Sequence, residues 1–366
     1  AALAVPGVTA VHQIPQGIAV YATSTYAALT GRNALTVEWD DSAAETRSSD
    51  QMMKDLSALA TGETGLMIEE SGDISSALTD AAQTIEAEFH FPYLAHAPME
   101  PLDAVIEVKD GSAETWGGFQ FPGFDKQAVA GTLGLDITKV KLNVMLAGGS
   151  FGRRAQPSAQ IGSEIGAIAA AAGRDGSWKL IWTREDDLTG GYYRPMTVHK
   201  MRGALDADGN ITGWHNTVVN QSIMAGGPME MMMQDGKDPT SYEGSVKMPY
   251  DLTNLRVDWV RAESKVPVLW WRSVGHSHTA YATEVFLDQL LEAGGKDPVQ
   301  GRLDLLKSDM TRDRAVLEKV AAMAGWDGQK VKNGKGYGVS LHESFNTYVA
   351  QIAEVEDRDG FPHVTK

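Results

Sequence analysis

The sequence predicts an α+β fold of mixed sheets with packed helices, and three observations carry that prediction. Strand-like runs come in pairs joined by turn dipeptides such as Asp110-Gly111. Helix-like segments fall in blocks instead of alternating strictly with strands. The composition is ordinary for a globular chain, with 43% apolar and 22% charged residues over 366 positions, enough to bury a sizeable core. That length suggests two or three domains.

Taken in order, Val8 to Val11, Gly17 to Ala22 and Ala34 to Trp39 read as short strands, with a helix over Ser24 to Thr30. A polar, small-residue stretch from Asp41 precedes a helix over Ser49 to Ala60, and Thr61 to Gly65 reads as a linker, placing a boundary within 41–65. Ile74 to Gln83 reads as helix and Thr84 to Phe91 as a half-buried strand. Ala104 to Lys109 and Ser112 to Gly117 form a hairpin, followed by a helix over Phe124 to Leu133 and a strand over Val140 to Leu146. The glycine turn Gly148 to Gly152 leads into a helix around Ala159 to Ala172. Strands follow at Trp178 to Thr183, Thr197 to Leu205 and Ile211 to Val219, with Asp206 to Gly209 as a second hairpin turn. Helices over His278 to Ala293 and Pro298 to Leu306, and strands over Tyr337 to Ser340 and Tyr348 to Val355, complete the reading. The first residue is Ala, and Gln351 onward reads as a hairpin whose second strand has barely begun, so the chain is expected to be part of something longer.

Charge and cysteine content exclude several function classes. The net charge is -16, and a polyanion is repelled by nucleic-acid backbones and anionic lipid. With no cysteine, the chain cannot form disulfides, zinc ribbons or thiol nucleophiles, and cannot hold an iron–sulfur cluster. No apolar run approaches the roughly 18 residues that span a bilayer.

Four segments carry chemistry. Gly148 to Arg154 (GGSFGRR) lies between a strand and a helix, where glycines allow close backbone approach and amides attract anions, with Arg153 and Arg154 available to reinforce them. The same residues also suit a tight turn with solvated arginines. They fit G-x-S-x-G too, placing Ser150 as a hydrolase nucleophile with Asp288 and His342 following in triad order. Trp270 to His278 (WWRSVGHSH) sets a guanidinium beside glycine and small polar residues. His276, His278 and Glu284 could be read as a metal site, although hydrogen-bonding histidines are the commoner outcome. His96 to Pro101 (HAPMEP) is a rigid loop, and His342-Glu343 lacks the final His of a zinc helix, since Asn346 stands there. Met229 and Met231 to Met233 form an apolar cluster that could line a pocket for a flat organic substrate, with core packing the commoner role.

In this order, HAPMEP, GGSFGRR, Trp271 to Gly275 (WRSVG) and His342 to Phe345 (HESF) resemble the molybdenum-cofactor large subunit of the xanthine oxidase family. The similarity is to the branch holding isoquinoline 1-oxidoreductase β-subunits and bacterial aldehyde dehydrogenase large subunits. The resemblance implies a partial α/β hammerhead and linker over 1–60, carried by Gly17 to Tyr21 and Gly31 to Trp39. The first portion of a molybdenum-cofactor-binding domain would then span 61–366. It implies cofactor contacts from Gln120, thirty-one positions before Phe151, and from Gly148, Gly149, Phe151, Gly152 and Arg272. The implied cofactor is molybdenum–molybdopterin cytosine dinucleotide.

The departures shape the expected substrate. Where purine oxidases carry a glutamate after the glycine loop, Ala155 stands; where they carry two sandwiching aromatics, Val274 and Leu341 stand. No match to the purine-binding arginine lies in 226–250. With His342 as the nearby polar group, that pocket suits an aldehyde or an N-heterocycle, oxidised with water-derived oxygen. The family's glycine–glutamate–proline motif, which supplies the general base, does not follow Phe345, so a further segment or a second chain is expected to supply it. This chain alone is then expected not to turn over substrate, and a non-catalytic subunit is the alternative reading beside the Ser150 hydrolase. The resemblance also implies a small subunit carrying 2Fe–2S clusters, a cytochrome c as candidate acceptor, and the periplasm in preference to the cytoplasm.

Overall fold

The computed structural model describes residues 1–62, 65–173 and 175–366. It opens on a two-stranded hairpin, β1 (Val8–Ile14) and β2 (Gly17–Ala22), followed by helix α1 (Thr25–Asn33), capped by Ser24 Oγ accepting from the Ala27 N–H at 3.2 Å. The strand expected over 34–39 does not form. Ala34 ends α1 in helical geometry, and the following β-type residues find no partner strand among the described residues.

Helix α2 (Ser49–Gly62) takes in the first two residues of the expected linker; residues 63 and 64 lie outside the described residues. Strand β3 (Leu66–Ser71), helix α3 (Ile74–Thr79) and strand β4 (Gln83–Phe91) follow, so α3 stops short of its expected end and the chain turns extended at Gln83. After the short β5 (Leu94–Ala95) come β6 (Asp103–Lys109) and β7 (Ser112–Gly117), the expected hairpin. Helix α4 (Pro122–Leu133) has proline in its first turn and Gly134 at φ 62° past its end. Strand β8 (Val140–Val144) is two residues shorter than expected, and Leu146 beyond it is wholly exposed.

Helix α5 (Gln160–Ala171), β9 (Gly176–Ile181), α6 (Arg184–Thr189) and β10 (Tyr193–Arg194) lead to the long strands β11 (Thr197–Leu205) and β12 (Ile211–Asn220). The second half adds β13 (Leu255–Arg261), α7 (His276–Ala293), α8 (Pro298–Leu305) and α9 (Thr311–Ala324). It closes with β14 (Val331–Lys332), β15 (Lys335–Ser344), β16 (Thr347–Arg358) and β17 (Phe361–Val364).

Among the described residues the strands form five sheets, β14-β15-β16-β17 and two two-stranded ones among them, and the other two bear most on the site. The larger runs β3-β13-β12-β11-β4, antiparallel except for the β12/β13 pair. Its two faces follow from strand alternation. On β11, His199, Met201, Gly203 and Leu205 face α7, while Met196 and Val198 pack with Met52, Leu56 and Ala60 of α2. Gly203 is needed here, because a Cβ would lie 2.5 Å from Leu290 of α7. The smaller sheet, β8-β7-β6-β9, is covered by α4 and α5 through Ile106, Val129, Leu133 and Ile165. Each such fully buried side chain contributes about 1.5–3 kcal/mol. Loops from both sheets make the site. Among the described residues no helix is long and apolar enough to cross a membrane.

Candidate cofactor and substrate site

Three loops meet where the two sheets adjoin. The first, 96–101, leaves β5 and leads to β6; the second, 145–159, links β8 to α5; the third, 262–275, links β13 to α7. Their contacts are backbone-close. The Arg272 N–H donates to the Phe151 carbonyl at 2.8 Å. A Cβ on Gly152 would lie 2.3 Å from the Trp270 carbonyl oxygen, so only glycine lets the second loop reach the third. His96 Nε2 donates to that same Trp270 carbonyl at 3.0 Å, and burial holds His96 below its ordinary pKa, as a neutral imidazole.

The second loop is anchored from below by acids remote in sequence. Glu100 accepts from the Gly148 N–H at 3.1 Å and from Arg154 Nη2 at 2.6 Å, while Arg153 Nε donates to Asp187 Oδ1 at 3.0 Å. Both arginines are buried and ion-paired. They are therefore neither solvated nor available to an anion, which corrects both expectations for them. Their role is to fasten the turn.

The hydrolase alternative also fails on geometry. Ser150 Oγ donates to Gln120 Oε1 and accepts from the Arg154 N–H at 3.1 Å, with no imidazole on it. Asp288 is held by Arg302 at 2.9 Å and Lys330 at 3.0 Å, and His342 bonds His276. The same hydroxyl ties Gln120 to the glycine loop, so Gln120, Gly148, Gly149, Phe151, Gly152 and Arg272 are brought into one locality. Phe151 and Arg272 are exposed on it.

The substrate-pocket positions divide. Val274 is half-buried in the third loop, and two residues later His276 Nδ1 meets His342 Nε2 at 2.8 Å, drawing His342 to the same loop. Burial, and secondarily His276, depress His342 to about 4. Ala155 is 2% exposed, packed beneath the second loop. Leu341 is 1% exposed, part of the main core, with its N–H on Glu284 at 2.7 Å. The metal reading of His276, His278 and Glu284 is not formed. His278 Nδ1 instead pairs with His199 Nε2 at 2.8 Å inside the core, and Glu284 pairs with Arg302 at 3.0 Å. Among the described residues no group of three or more potential ligands could hold a metal ion.

Residues outside the motifs complete the site. Glu243 accepts from the Gly275 N–H at 2.9 Å, and Trp270 supplies the carbonyl on which the first and second loops meet. No sequence signal marks Glu243; Trp270 stood in a quoted segment, but its role is backbone and invisible in side-chain identity. A cavity of about 460 Å³ opens beside Trp270 and Gln156, lined also by Tyr192, Gln221, Met224 and Met229. The methionine cluster is thus not core: Met229 lines this cavity, and Met231 is 89% exposed.

The loops suit an anionic organic cofactor on two counts. Gly149 at φ 106° and Gly152 at φ 105° form a turn that brings main chain, not side chains, to its surface. Two buried polar atoms, Trp271 Nε1 in the third loop and Ser277 Oγ in the first turn of α7, lack a partner among the described residues.

Comparison with known proteins gives the same direction. The family model described as "Molybdopterin cofactor-binding domain" matches residues 60–304. Isoquinoline 1-oxidoreductase subunit beta of Brevundimonas diminuta is 31% identical over 368 residues, covering 97% of this chain and 46% of that protein. A membrane-bound aldehyde dehydrogenase, named for pyrroloquinoline quinone, of Gluconacetobacter polyoxogenes is 30% identical over 80% of this chain and 39% of its own length. The chain therefore spans less than half the length of these relatives. Among solved structures, quinoline 2-oxidoreductase from Pseudomonas putida 86 superposes with a TM-score of 0.71 over 93% of this chain and 51% of that one. At 17% identity, that likeness speaks to the fold.

Proposed function

Because the chain belongs to the molybdopterin cofactor-binding family, as a molybdenum-binding subunit of the xanthine oxidase type, we propose that it forms the first part of a molybdenum hydroxylase site. That site would oxidise an aldehyde or an N-heterocycle with water-derived oxygen. The observation that carries this is the backbone junction of the second and third loops, where Arg272 N–H meets the Phe151 carbonyl and Gly152 meets Trp270. This junction, with Gln120 held to the second loop by Ser150, supports a common surface for Gln120, Phe151 and Arg272.

When bound, the molybdenum–molybdopterin cytosine dinucleotide supplies the redox couple and the oxygen-transfer chemistry. This chain's residues hold and orient. The amides of Gly149 to Gly152 and the Arg272 guanidinium would face the anionic parts of the cofactor. Gln120, fixed by Ser150, would offer its amide nitrogen on the metal's side. Val274 and His342 would bound the substrate, with His342 neutral and so able to donate or accept one hydrogen bond without repelling an electron-poor ring. Ala155 and Leu341, both buried, would shape the wall from behind and themselves offer a purine neither a charged nor an aromatic group. The names of the relatives, an isoquinoline oxidoreductase subunit and an aldehyde dehydrogenase, support these two substrate classes.

The reading extends to the whole assembly. Residues 1–60 would be the end of an α/β hammerhead, supported by the family match beginning at residue 60. A catalytic glutamate would come from a segment outside these residues or from a second chain. A small 2Fe–2S subunit would take the electrons, since this chain has no cysteine. A cytochrome c acceptor and a periplasmic location complete the proposal.

The test is isotopic. The complete protein, purified with its partners and given isoquinoline or an aromatic aldehyde in ¹⁸O-water, is expected to yield product carrying the label. Product labelled from ¹⁸O₂ instead, or a fluorophosphonate adduct at Ser150, contradicts the reading.

A further inference from the structure

The third loop is strained, and its restraint comes from outside it. Ser273 at φ 73° and Val274 at φ 48° both occupy left-handed backbone; for a β-branched residue this costs on the order of 1–3 kcal/mol and persists only where the surroundings enforce it. The enforcing contacts can be named. Arg272 N–H is fixed on Phe151, and Val274 N–H closes a turn on the Trp271 carbonyl at 2.7 Å. Below the strained pair, Glu243 takes the Gly275 N–H at 2.9 Å through its carboxylate, and its own carbonyl accepts from Thr279 Oγ1 at 2.8 Å.

The fit there is tight. A Cβ on Gly275 would lie 2.7 Å from Glu243 Cγ and 2.7 Å from the Thr240 carbonyl, and one on Gly244 would lie 2.7 Å from His276 Nδ1. Glu243 therefore grips the first residues of α7 by side chain and main chain together, at the positive end of an 18-residue helix.

We infer that Glu243 is a positioning residue: its carboxylate clamps the start of α7 and so holds the strained 272–274 turn in the conformation that presents Arg272 and Val274 to the site. What the turn faces rests on the function proposed above; the clamp itself does not. The clamp is also set to respond to protons. Burial raises Glu243 to about 7, opposed by the Gly275 hydrogen bond and reinforced by the charge of Asp238 in the preceding turn. The other titratable groups nearby are His276 on α7 and, behind it, His342 and Glu343 on β15. Burial keeps both histidines below their ordinary range, so neither supplies a compensating cation.

Two pH effects then run in opposite directions. The Gly275 bond is strongest to the ionised carboxylate, so the turn tightens as pH rises through about 7. Global stability moves the other way. An acid whose folded pKa is raised contributes stability that is fully present below its ordinary value of 4.5 and lost as pH rises through about 7.

The experiment is hydrogen exchange, read by mass spectrometry on peptides covering 270–279, in the natively purified complete protein. Wild type, Glu243→Ala and Glu243→Gln are compared at about pH 8 and about pH 6, after correction for intrinsic rates. In wild type the protection is expected to fall on going to the lower pH. Glu243→Ala is expected to lose about tenfold in protection at the higher pH. Glu243→Gln, whose amide oxygen still accepts from Gly275, is expected to keep protection within about threefold of wild type but to lose its pH dependence. Molybdenum per chain, measured on the same samples, should fall in the alanine variant and recover in the glutamine variant.

Unchanged protection in Glu243→Ala, or the same pH dependence in Glu243→Gln as in wild type, overturns the clamp. Where the alanine variant does not fold, the glutamine variant's pH series decides alone. Wild-type protein that lacks molybdenum while showing the expected exchange pattern overturns the cofactor reading and leaves the clamp standing.

Discussion

The second and third loops do the same job by different means. Both must bring main chain to one surface, and both need left-handed backbone to do so. The second loop uses glycine at φ 106° and φ 105°, where no side chain opposes the geometry, and leaves Phe151 at φ 58° and Ala159 at φ 50° under strain. The third loop has Ser273 and Val274 at its left-handed positions and depends on Glu243, His276 and His342 to stay there. The difference teaches that a left-handed turn built on glycine is visible in sequence, even where remote acids fasten it. A strained loop, by contrast, is a property of its neighbours and can respond to them.

Breaking the glycine loop should produce the largest effect. Gly152→Val meets both a left-handed φ and the Trp270 carbonyl, for a cost of about 4 kcal/mol or more in a denaturant titration, with loss of bound molybdenum. Next is the footing of the same loop. Arg153→Met leaves Asp187 buried with only Arg184, at 3.5 Å, to offset its charge and should cost about 2–4 kcal/mol, whereas Arg153→Met with Asp187→Leu should recover most of it.

The footing of the third loop should instead show in its acid response. Burial lowers His199 to about 4 and His278 well below its ordinary 6.5. A histidine with a depressed folded pKa contributes stability present above 6.5 and lost as pH falls toward 4, because the unfolded chain takes the proton first. Roughly 2–3 kcal/mol should therefore disappear over that interval through His199. The double variant His199→Leu, His278→Leu should flatten that limb. Leaving Asn216 without its histidine adds a pH-independent loss of about 1–3 kcal/mol. The smallest effect should come from Val274→Gly. Relief of strain and gain of unfolded-state freedom nearly cancel, so stability should change by less than about 1 kcal/mol while exchange at 272–275 rises.

The legible parts of the sequence were those whose structure is local. The 103–117 hairpin follows from alternation around Asp110-Gly111, and α4 from Pro122 at its start and Gly134 at its end. Failures came from partners that local sequence does not name. The Ala34 to Trp39 run has strand composition, but among the described residues no strand pairs with it. Strand β13 was missed although it is central: it lies parallel to β12, and that pairing is set by a long crossover, not by a turn. Helix α9 was missed because its first residue follows Met310, which provides no side-chain cap.

The site shows the same division. The turn at Gly149 and Gly152 was legible because its positive φ depends on residue type at fixed spacing. The duties of Arg153 and Arg154 were misread because the acids that hold them, Asp187 and Glu100, lie 34 and 54 residues away. The G-x-S-x-G pattern was satisfied, yet its serine is committed to Gln120.

The central claim is that two loops converge on one anionic molybdenum cofactor. Molybdenum and released cytosine nucleotide should be quantified in the natively purified complete protein, beside a Gly152→Val, Arg272→Ala pair whose fold is verified by circular dichroism. The account predicts about one of each per chain in wild type and a marked loss in both variants. Wild type without molybdenum, or variants that retain it in full, would contradict it.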